Sequence, residues 1–217
     1  MASAPSDHWV FAYGSLMWNP GFPFVEVARA RLNGWHRRFC IASRHHRGTH
    51  DRPGLVLGLD RGGVADGLAY RIAADQMTAV RTYLRAREQV SGVYREARVR
   101  LVLHAASVSE CQALVYLAET EHPGFTPRAP VLRQAHIIAG ARGLAGSNVD
   151  YLTNTLKELR RLGIRERELE RIQACLGVIR ARRPDSAASH RYLKRWPIKR
   201  KLRHTDIDRF GHRSRIS

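Results

Sequence analysis

Residues 9–18, Trp-Val-Phe-Ala-Tyr-Gly-Ser-Leu-Met-Trp, are the stretch that decides the fold. The first five of them, Trp9 to Tyr13, are mostly aromatic or β-branched, a composition that favours a strand in a half-buried sheet. Gly14 then allows a sharp turn, and Ser15 adds a small hydroxyl. A strand that ends in Gly-Ser presents successive backbone N–H groups that can hold an anion or a developing oxyanion. From these residues alone, the alternative is an ordinary strand ending in a turn.

The composition indicates one full-sized globular domain. The chain has 217 residues and 44% of them are hydrophobic, which is enough for a substantial core. No apolar run reaches the roughly 20 residues of a membrane span, and the first residues have neither the basic nor the apolar region of a signal peptide. The three cysteines are far apart and in no metal-ligand spacing, so we expect a protein of the reducing cytoplasm.

Positive charge is concentrated towards the C-terminal end. The net charge is +18, and residues 180–217 hold 13 Lys and Arg against three Asp. This asymmetry predicts a boundary near residues 180–184, where a basic tail begins. Such a tail suggests an anionic partner, either RNA or another polyanion or a membrane surface, and a solvated extension is the alternative.

The hydrophobic pattern predicts strands first and helices later, an α+β fold. A helix of about 12 to 14 residues begins near Asp75, and the glycine pair Gly62-Gly63 marks a hairpin. Two apolar stripes after Pro130 predict further helices, the first of which stops at Gly163. The predicted strands cover residues 34–41, 55–59, 67–72, 97–103 and 113–117. The stripes consist of Val149, Leu152, Leu156 and Leu159, then Leu169, Ile172, Leu176 and Ile179.

Glu88 is the carboxylate that we single out for chemistry. It lies at the end of the helix that begins near Asp75, before Gly92 leads the chain into a strand. Ends of elements over a sheet commonly present catalytic side chains. A single carboxylate there can act as a general base and then return the proton as a general acid. A solvated glutamate at a helix end is the alternative.

Two other kinds of site are disfavoured by the pattern. The loop over residues 43–54 has no zinc-site spacing, and its Arg and Gly residues favour an anionic ligand, so we expect no metal. Ser15 is not in a Gly-x-Ser-x-Gly nucleophile elbow, because Leu16 and Met17 follow it. The metal ligands considered in the loop are His45, His46, His50 and Asp51.

Four separated motifs together resemble one family, the ChaC-type glutathione-specific γ-glutamylcyclotransferases. They are similar to the family's substrate loop, its second loop, its catalytic segment and its late helix, in that order. In this chain the motifs are Val10–Leu16; His46-Arg47-Gly48 with Arg52-Pro53-Gly54; Arg87-Glu88 with Gly92 and Tyr94; and Gly146, Asn148, Asp150-Tyr151-Leu152 and Asn154-Thr155. The resemblance divides the chain into an extension over residues 1–8, a domain over 9–180 and the basic tail over 181–217.

The resemblance implies a small mixed β-barrel with helices around it. It implies that Glu88 is the catalytic acid/base and that Tyr151 is a further substrate contact. Ala12 departs from the family by standing where many members have glycine, and Ala145 stands where a small polar residue is expected. The residues that would grip the γ-glutamyl group are Val10, Phe11, Ala12, Tyr13, Gly14, Ser15 and Leu16.

The implied reaction is the cleavage of glutathione to 5-oxoproline and Cys-Gly, without cofactor, metal or covalent intermediate. Glu88 would take a proton from the α-ammonium, and the freed amine would attack the γ-carbonyl of the same molecule. Backbone N–H groups around Gly14 and Ser15 would stabilise the oxyanion. Other γ-glutamyl amines are alternative substrates. The alternative of a different class is a binding protein that joins an RNA–protein assembly through the basic tail.

Overall fold

Five strands close into a barrel in the order β1-β3-β2-β4-β5, and β5 returns to β1. The closing pair is parallel, with Trp9 of β1 opposite Ala113 of β5, whereas the other neighbours are antiparallel. A computed structural model describes residues 8–88, 92–106 and 108–181. The predicted mixed barrel is confirmed. Its strands are β1 (His8–Ala12), β2 (Glu26–Ser43), β3 (Gly54–Ile72), β4 (Tyr94–His104) and β5 (Glu110–Ala118).

The hairpin predicted at Gly62-Gly63 is wrong. Both glycines lie inside the single 19-residue strand β3, with φ of +91° and +73°. They face a register shift in β2 between Asn33 and Trp35, so they bend a long strand instead of reversing the chain. The strand predicted over residues 34–41 is likewise only the second half of β2. Its first half alternates small apolar residues with arginines, which makes a weak hydrophobic signal.

The other predicted elements are confirmed with small shifts of their ends. The helix predicted near Asp75 runs over Met77–Glu88, and Gly163, at φ +67°, follows the end of the helix predicted from the first stripe. The helices are α1 (Met77–Glu88), α2 (Val131–Gly140), α3 (Asn148–Arg161) and α4 (Arg167–Ala181). A short 3-10 helix covers Ser15–Met17, and a two-stranded hairpin, β6 (Arg142–Gly143) and β7 (Gly146–Ser147), precedes α3.

Strand β1 is buried on both faces, which explains its unbroken apolar sequence. Trp9 and Phe11 belong to a cluster that draws on all five strands and fills the barrel. Val10 and Ala12 point the other way, into a cluster shared with the helices. The 3-10 helix therefore starts from a strand that is fixed on both sides.

Two expectations concern parts of the chain at its ends. The N-terminal extension, apart from His8, and the basic tail, apart from Ala181, lie outside the described residues. In the ranges given above, no helix combines the length and the apolar character needed to cross a membrane.

Candidate active site

A pocket of about 320 Å³ opens where β1 passes into the 3-10 helix. Of the residues assigned to substrate by sequence, Val10 and Ala12 are fully buried in the helix-side core and do not line this pocket. The predicted site residues that line it are Phe11, Tyr13, Gly14, Ser15, Leu16, Glu88 and Tyr151. His46 and Arg47 of the second loop also line it, so the structure brings all four motifs, which are far apart in sequence, to one pocket.

Glu88 is the last residue of α1, and its side chain is 19% exposed. Burial raises the pKa of this carboxyl, and the neighbouring Arg87, with Nε 3.2 Å from Glu88 Oε1, partly opposes the shift. Burial raises the pKa of the Tyr13 and Tyr94 hydroxyls as well, and the charge of Glu88 adds to both shifts. The carboxyl thus lies among neutral phenols, and its pKa is displaced towards the range useful for general acid–base chemistry.

Arg87 ties the end of α1 to the segment that follows β1. Its guanidinium donates to Ser15 Oγ at 3.0 Å, to the Asn19 carbonyl at 2.7 Å and to the Tyr83 hydroxyl at 2.8 Å. Within the described residues, no backbone carbonyl accepts from the N–H groups of Gly14 or Ser15, which precede or open the 3-10 helix. Arg87 thus connects the end of α1, which carries Glu88, to the segment that carries these N–H groups.

The second-loop motif is a close backbone packing of two glycines. A Cβ on Gly48 would lie 2.1 Å from the Gly54 nitrogen, and a Cβ on Gly54 would lie 2.2 Å from the Arg47 carbonyl oxygen. The β6–β7 turn docks on the same loop, because Leu144 N donates to His45 O and Ala145 N donates to His46 O. This packing builds the pocket wall that carries Arg47.

Helix α3 supplies Tyr151 and is pinned to β3 by Asn148. The Asn148 amide accepts from the Leu55 N–H at 2.6 Å and donates to the Leu55 carbonyl at 2.7 Å. One turn later, the Tyr151 hydroxyl accepts from the Leu57 N–H at 3.3 Å. The late-helix motif therefore sets where the Tyr151 ring meets the pocket.

Arg37 is a buried residue of this region that the sequence reasoning missed. Its guanidinium donates to the Tyr13 carbonyl, directly before Gly14, and forms an ion pair with Glu166. Burial lowers the pKa of Arg37 and raises that of Glu166, while the attraction between them opposes both shifts. The signal was available, since Arg37-Arg38 directly precedes the apolar run Phe39–Ile41, but nothing local to it indicates a partner 129 positions away.

The histidines of the second loop are near the pocket but do not cluster with other metal-binding side chains. His45 and His46 line the pocket and pack edge to face, with ring centroids 5.1 Å apart. Burial, together with the nearby charges of His45 and Arg47, lowers the pKa of His46. Across residues 8–88, 92–106 and 108–181, no three His, Cys, Asp or Glu side chains are grouped to hold a metal ion.

The sequence and the fold are similar to those of known proteins. The family model described as ChaC-like protein matches residues 8–179. A glutathione-specific γ-glutamylcyclotransferase of Escherichia coli K12 is 38% identical over 160 residues, which are 73% of this chain and 68% of that protein. Human glutathione-specific γ-glutamylcyclotransferase 1 is 35% identical over 150 residues, 68% of each chain. A crystal structure of a yeast γ-glutamyl cyclotransferase specific to glutathione, 24% identical, has the same fold, with a TM-score of 0.73 over 80% of this chain and 96% of the yeast chain. The chain belongs to the ChaC-like protein family.

Proposed function

We infer that this protein is a glutathione-specific γ-glutamylcyclotransferase that releases 5-oxoproline and Cys-Gly. The activity follows from membership of the family, whose E. coli and human relatives carry that name. The observation that supports the mechanism is the largely buried carboxyl of Glu88, which lines a pocket together with the turn at Gly14-Ser15. The pocket volume of about 320 Å³ is within the range of small-ligand sites.

The reaction needs only proton transfer and a folded substrate. The Glu88 carboxylate takes a proton from the substrate ammonium, and the freed nitrogen attacks the γ-carbonyl carbon. The new C–N bond closes the five-membered ring, and the bond to the cysteine nitrogen breaks. Over the whole reaction the attacking nitrogen loses two protons and the leaving nitrogen gains two, so Glu88 ends as it began and no water is consumed.

The surroundings of Glu88 support this assignment. A carboxyl with a raised pKa is a better proton acceptor than an ordinary glutamate and still returns the proton readily near neutral pH. The N–H groups of Gly14 and Ser15 support an oxyanion site, because they adjoin the same pocket without a backbone acceptor among the described residues. Tyr151 lines the same pocket, and a Cβ added at Gly14 would lie 3.2 Å from its hydroxyl.

Replacing Glu88 by glutamine tests the assignment. Glu88→Gln keeps the size but cannot accept the proton, so we expect the release of 5-oxoproline from glutathione to fall at least about 100-fold, with little change in KM. The matched control is Glu110→Gln, on the surface of β5 and away from the pocket, which should stay within about twofold. Turnover of Glu88→Gln above a tenth of the wild-type value would refute the role of Glu88.

The location, the boundaries and the tail are also part of the proposal. A cytoplasmic location is supported by Cys40 and Cys175, which are free thiols. The division at residues 8–9 and 180–181 is supported by the family match over 8–179. Binding of RNA or another polyanion by the basic tail is supported by its charge alone.

A further inference from the structure

The peptide unit that joins Tyr13 to Gly14 lies beyond the paired part of β1. The pairing of β1 with β3 ends at Ala12, which is opposite Leu68. Among the residues that the structure describes, no backbone carbonyl accepts from the Gly14 N–H, and no backbone N–H donates to the Tyr13 carbonyl. The rotation of this unit depends on φ of Gly14, and glycine restricts φ less than any other residue. The sheet therefore leaves the direction of the Gly14 N–H open.

The side chain of Arg37, in β2, binds the carbonyl of this peptide unit. Its Nε donates to the Tyr13 oxygen. The same guanidinium donates to the Asp66 carbonyl of β3 and forms the ion pair with Glu166, directly before α4. The Arg37 side chain has no exposed surface, so these partners hold the guanidinium in a place that does not depend on the turn.

The position of Arg37 relative to the pocket determines where the N–H points. The described part of the chain contains no cis peptide bond, and a trans peptide has its C=O and N–H on opposite sides. Gly14 lines the pocket, whereas Arg37 does not. Because the Tyr13 carbonyl is turned towards Arg37, behind the wall, the Gly14 N–H is directed away from Arg37, to the side of the pocket.

The charge of Arg37 is also felt inside the pocket. Burial raises the pKa of the Tyr13 and Tyr151 hydroxyls, and the charge of Arg37 opposes both shifts. Both tyrosines line the pocket. The cation therefore lies close behind the wall, where its field favours negative charge in the pocket.

We propose that Arg37 is a positioning residue, which holds the Tyr13–Gly14 peptide unit so that the Gly14 N–H donates to the oxyanion formed from the γ-carbonyl. The inference rests on the proposed function. Arg37 itself does not reach the substrate, because its side chain is enclosed behind the pocket wall. The oxyanion forms only when the γ-carbonyl is attacked, so a misdirected N–H slows the chemical step and leaves the binding of glutathione almost unchanged.

The kinetics of Arg37→Met and of a matched control test the proposal. Arg37→Met should lower kcat for glutathione about 10- to 100-fold and leave KM within about threefold. Arg38→Met is the control, since Arg38 is the next residue of β2, is buried, pairs with Asp60 and is outside the pocket lining. Each variant leaves one carboxylate without its arginine, so both should lower Tm, but Arg38→Met should keep kcat within about twofold.

A double variant separates positioning from stability. Combining Arg37→Met with Glu166→Leu removes both charges of the ion pair, so Tm should recover relative to Arg37→Met. The kcat should stay as low as in Arg37→Met, because the Tyr13 carbonyl still lacks its donor. If kcat recovers together with Tm, if Arg38→Met loses as much kcat as Arg37→Met, or if the loss of Arg37→Met lies in KM, the proposal is overturned.

Crystal structures of the wild type and of the double variant provide a readout without turnover. In the double variant, the Tyr13–Gly14 peptide unit should be rotated from its wild-type orientation or occupy more than one orientation. An unchanged orientation would overturn the proposal even if kcat falls. A wild-type protein that releases no 5-oxoproline would overturn the proposed activity, and the comparison of the two structures would still decide whether Arg37 holds this peptide unit.

Discussion

Replacing Asn148 by alanine should destabilise the protein through two orphaned backbone groups. The Asn148 side chain is fully buried and bonds both the N–H and the carbonyl of Leu55, at 2.6 and 2.7 Å. Alanine removes both partners at once, and Leu55 is itself 3% exposed, so water reaches neither group in the folded state. Each buried unsatisfied group costs about 1–3 kcal/mol.

The two costs together predict a loss of about 2–5 kcal/mol in the free energy of unfolding, after a small gain in helix propensity. For a domain of this size, that loss lowers Tm by roughly 4–20 °C. The activity should fall as well at temperatures far below Tm, because Tyr151 lies one turn beyond Asn148 and its place depends on the same contact.

Thermal and urea unfolding followed by circular dichroism would measure the effect. Asn154→Ala is the matched control, since it makes the same substitution at an exposed position of α3 and has the same gain in propensity. We expect it to stay within about 0.5 kcal/mol of wild type or to be slightly more stable. If the two variants unfold at the same denaturant concentration, Asn148 does not pin α3 to β3 and the reasoning fails.

Four further outcomes are expected. Gly14→Ala places a methyl carbon 3.2 Å from the Tyr151 hydroxyl and should lower kcat/KM about tenfold, whereas Gly177→Ala, which meets nothing within 4 Å, should not; an unchanged Gly14→Ala would show that the turn has room. The folded protein holds the Glu88 proton more tightly than the unfolded chain, so kcat/KM should fall as pH drops through a pKa above the ordinary glutamate value. The same raised pKa predicts a pH-dependent stability: as pH rises from the ordinary glutamate pKa through the raised one, the free energy of unfolding of wild type should fall relative to that of Glu88→Gln. If the free energies of unfolding of the two proteins change in parallel with pH, the pKa of Glu88 is not raised. Removing residues 182–217 should preserve turnover and abolish salt-sensitive RNA binding. Equal RNA binding by the truncated and the full-length protein, measured at two salt concentrations, would place the anionic partner on the barrel.

The sequence predicted those features that depend only on residues adjacent in the chain. The break at Gly14-Ser15 and the position of Glu88 at a helix end could be located because each needs only a few adjacent residues. Gly62-Gly63 was misinterpreted because a glycine pair with positive φ suits a hairpin turn and a bend within a long strand equally well. Only the pairing with β2 distinguishes the two.

Long-range partners could not be predicted in the same way. The ion pair of Arg37 with Glu166 joins β2 to the residue before α4, and neither residue carries a local mark of the other. Sequence patterns report what a residue is, whereas its partner far along the chain is visible only in three dimensions.

The parallel seam between β1 and β5 has a consequence for how the protein is made. Trp9 is synthesised about a hundred residues before its partner Ala113. Until then the unfinished sheet leaves the edge of its most apolar strand open, and such edges favour association between chains. Closure of a loop this long also slows folding. During synthesis this edge of β1 therefore stays unpaired for longer than the edges of a sheet built from adjacent hairpins.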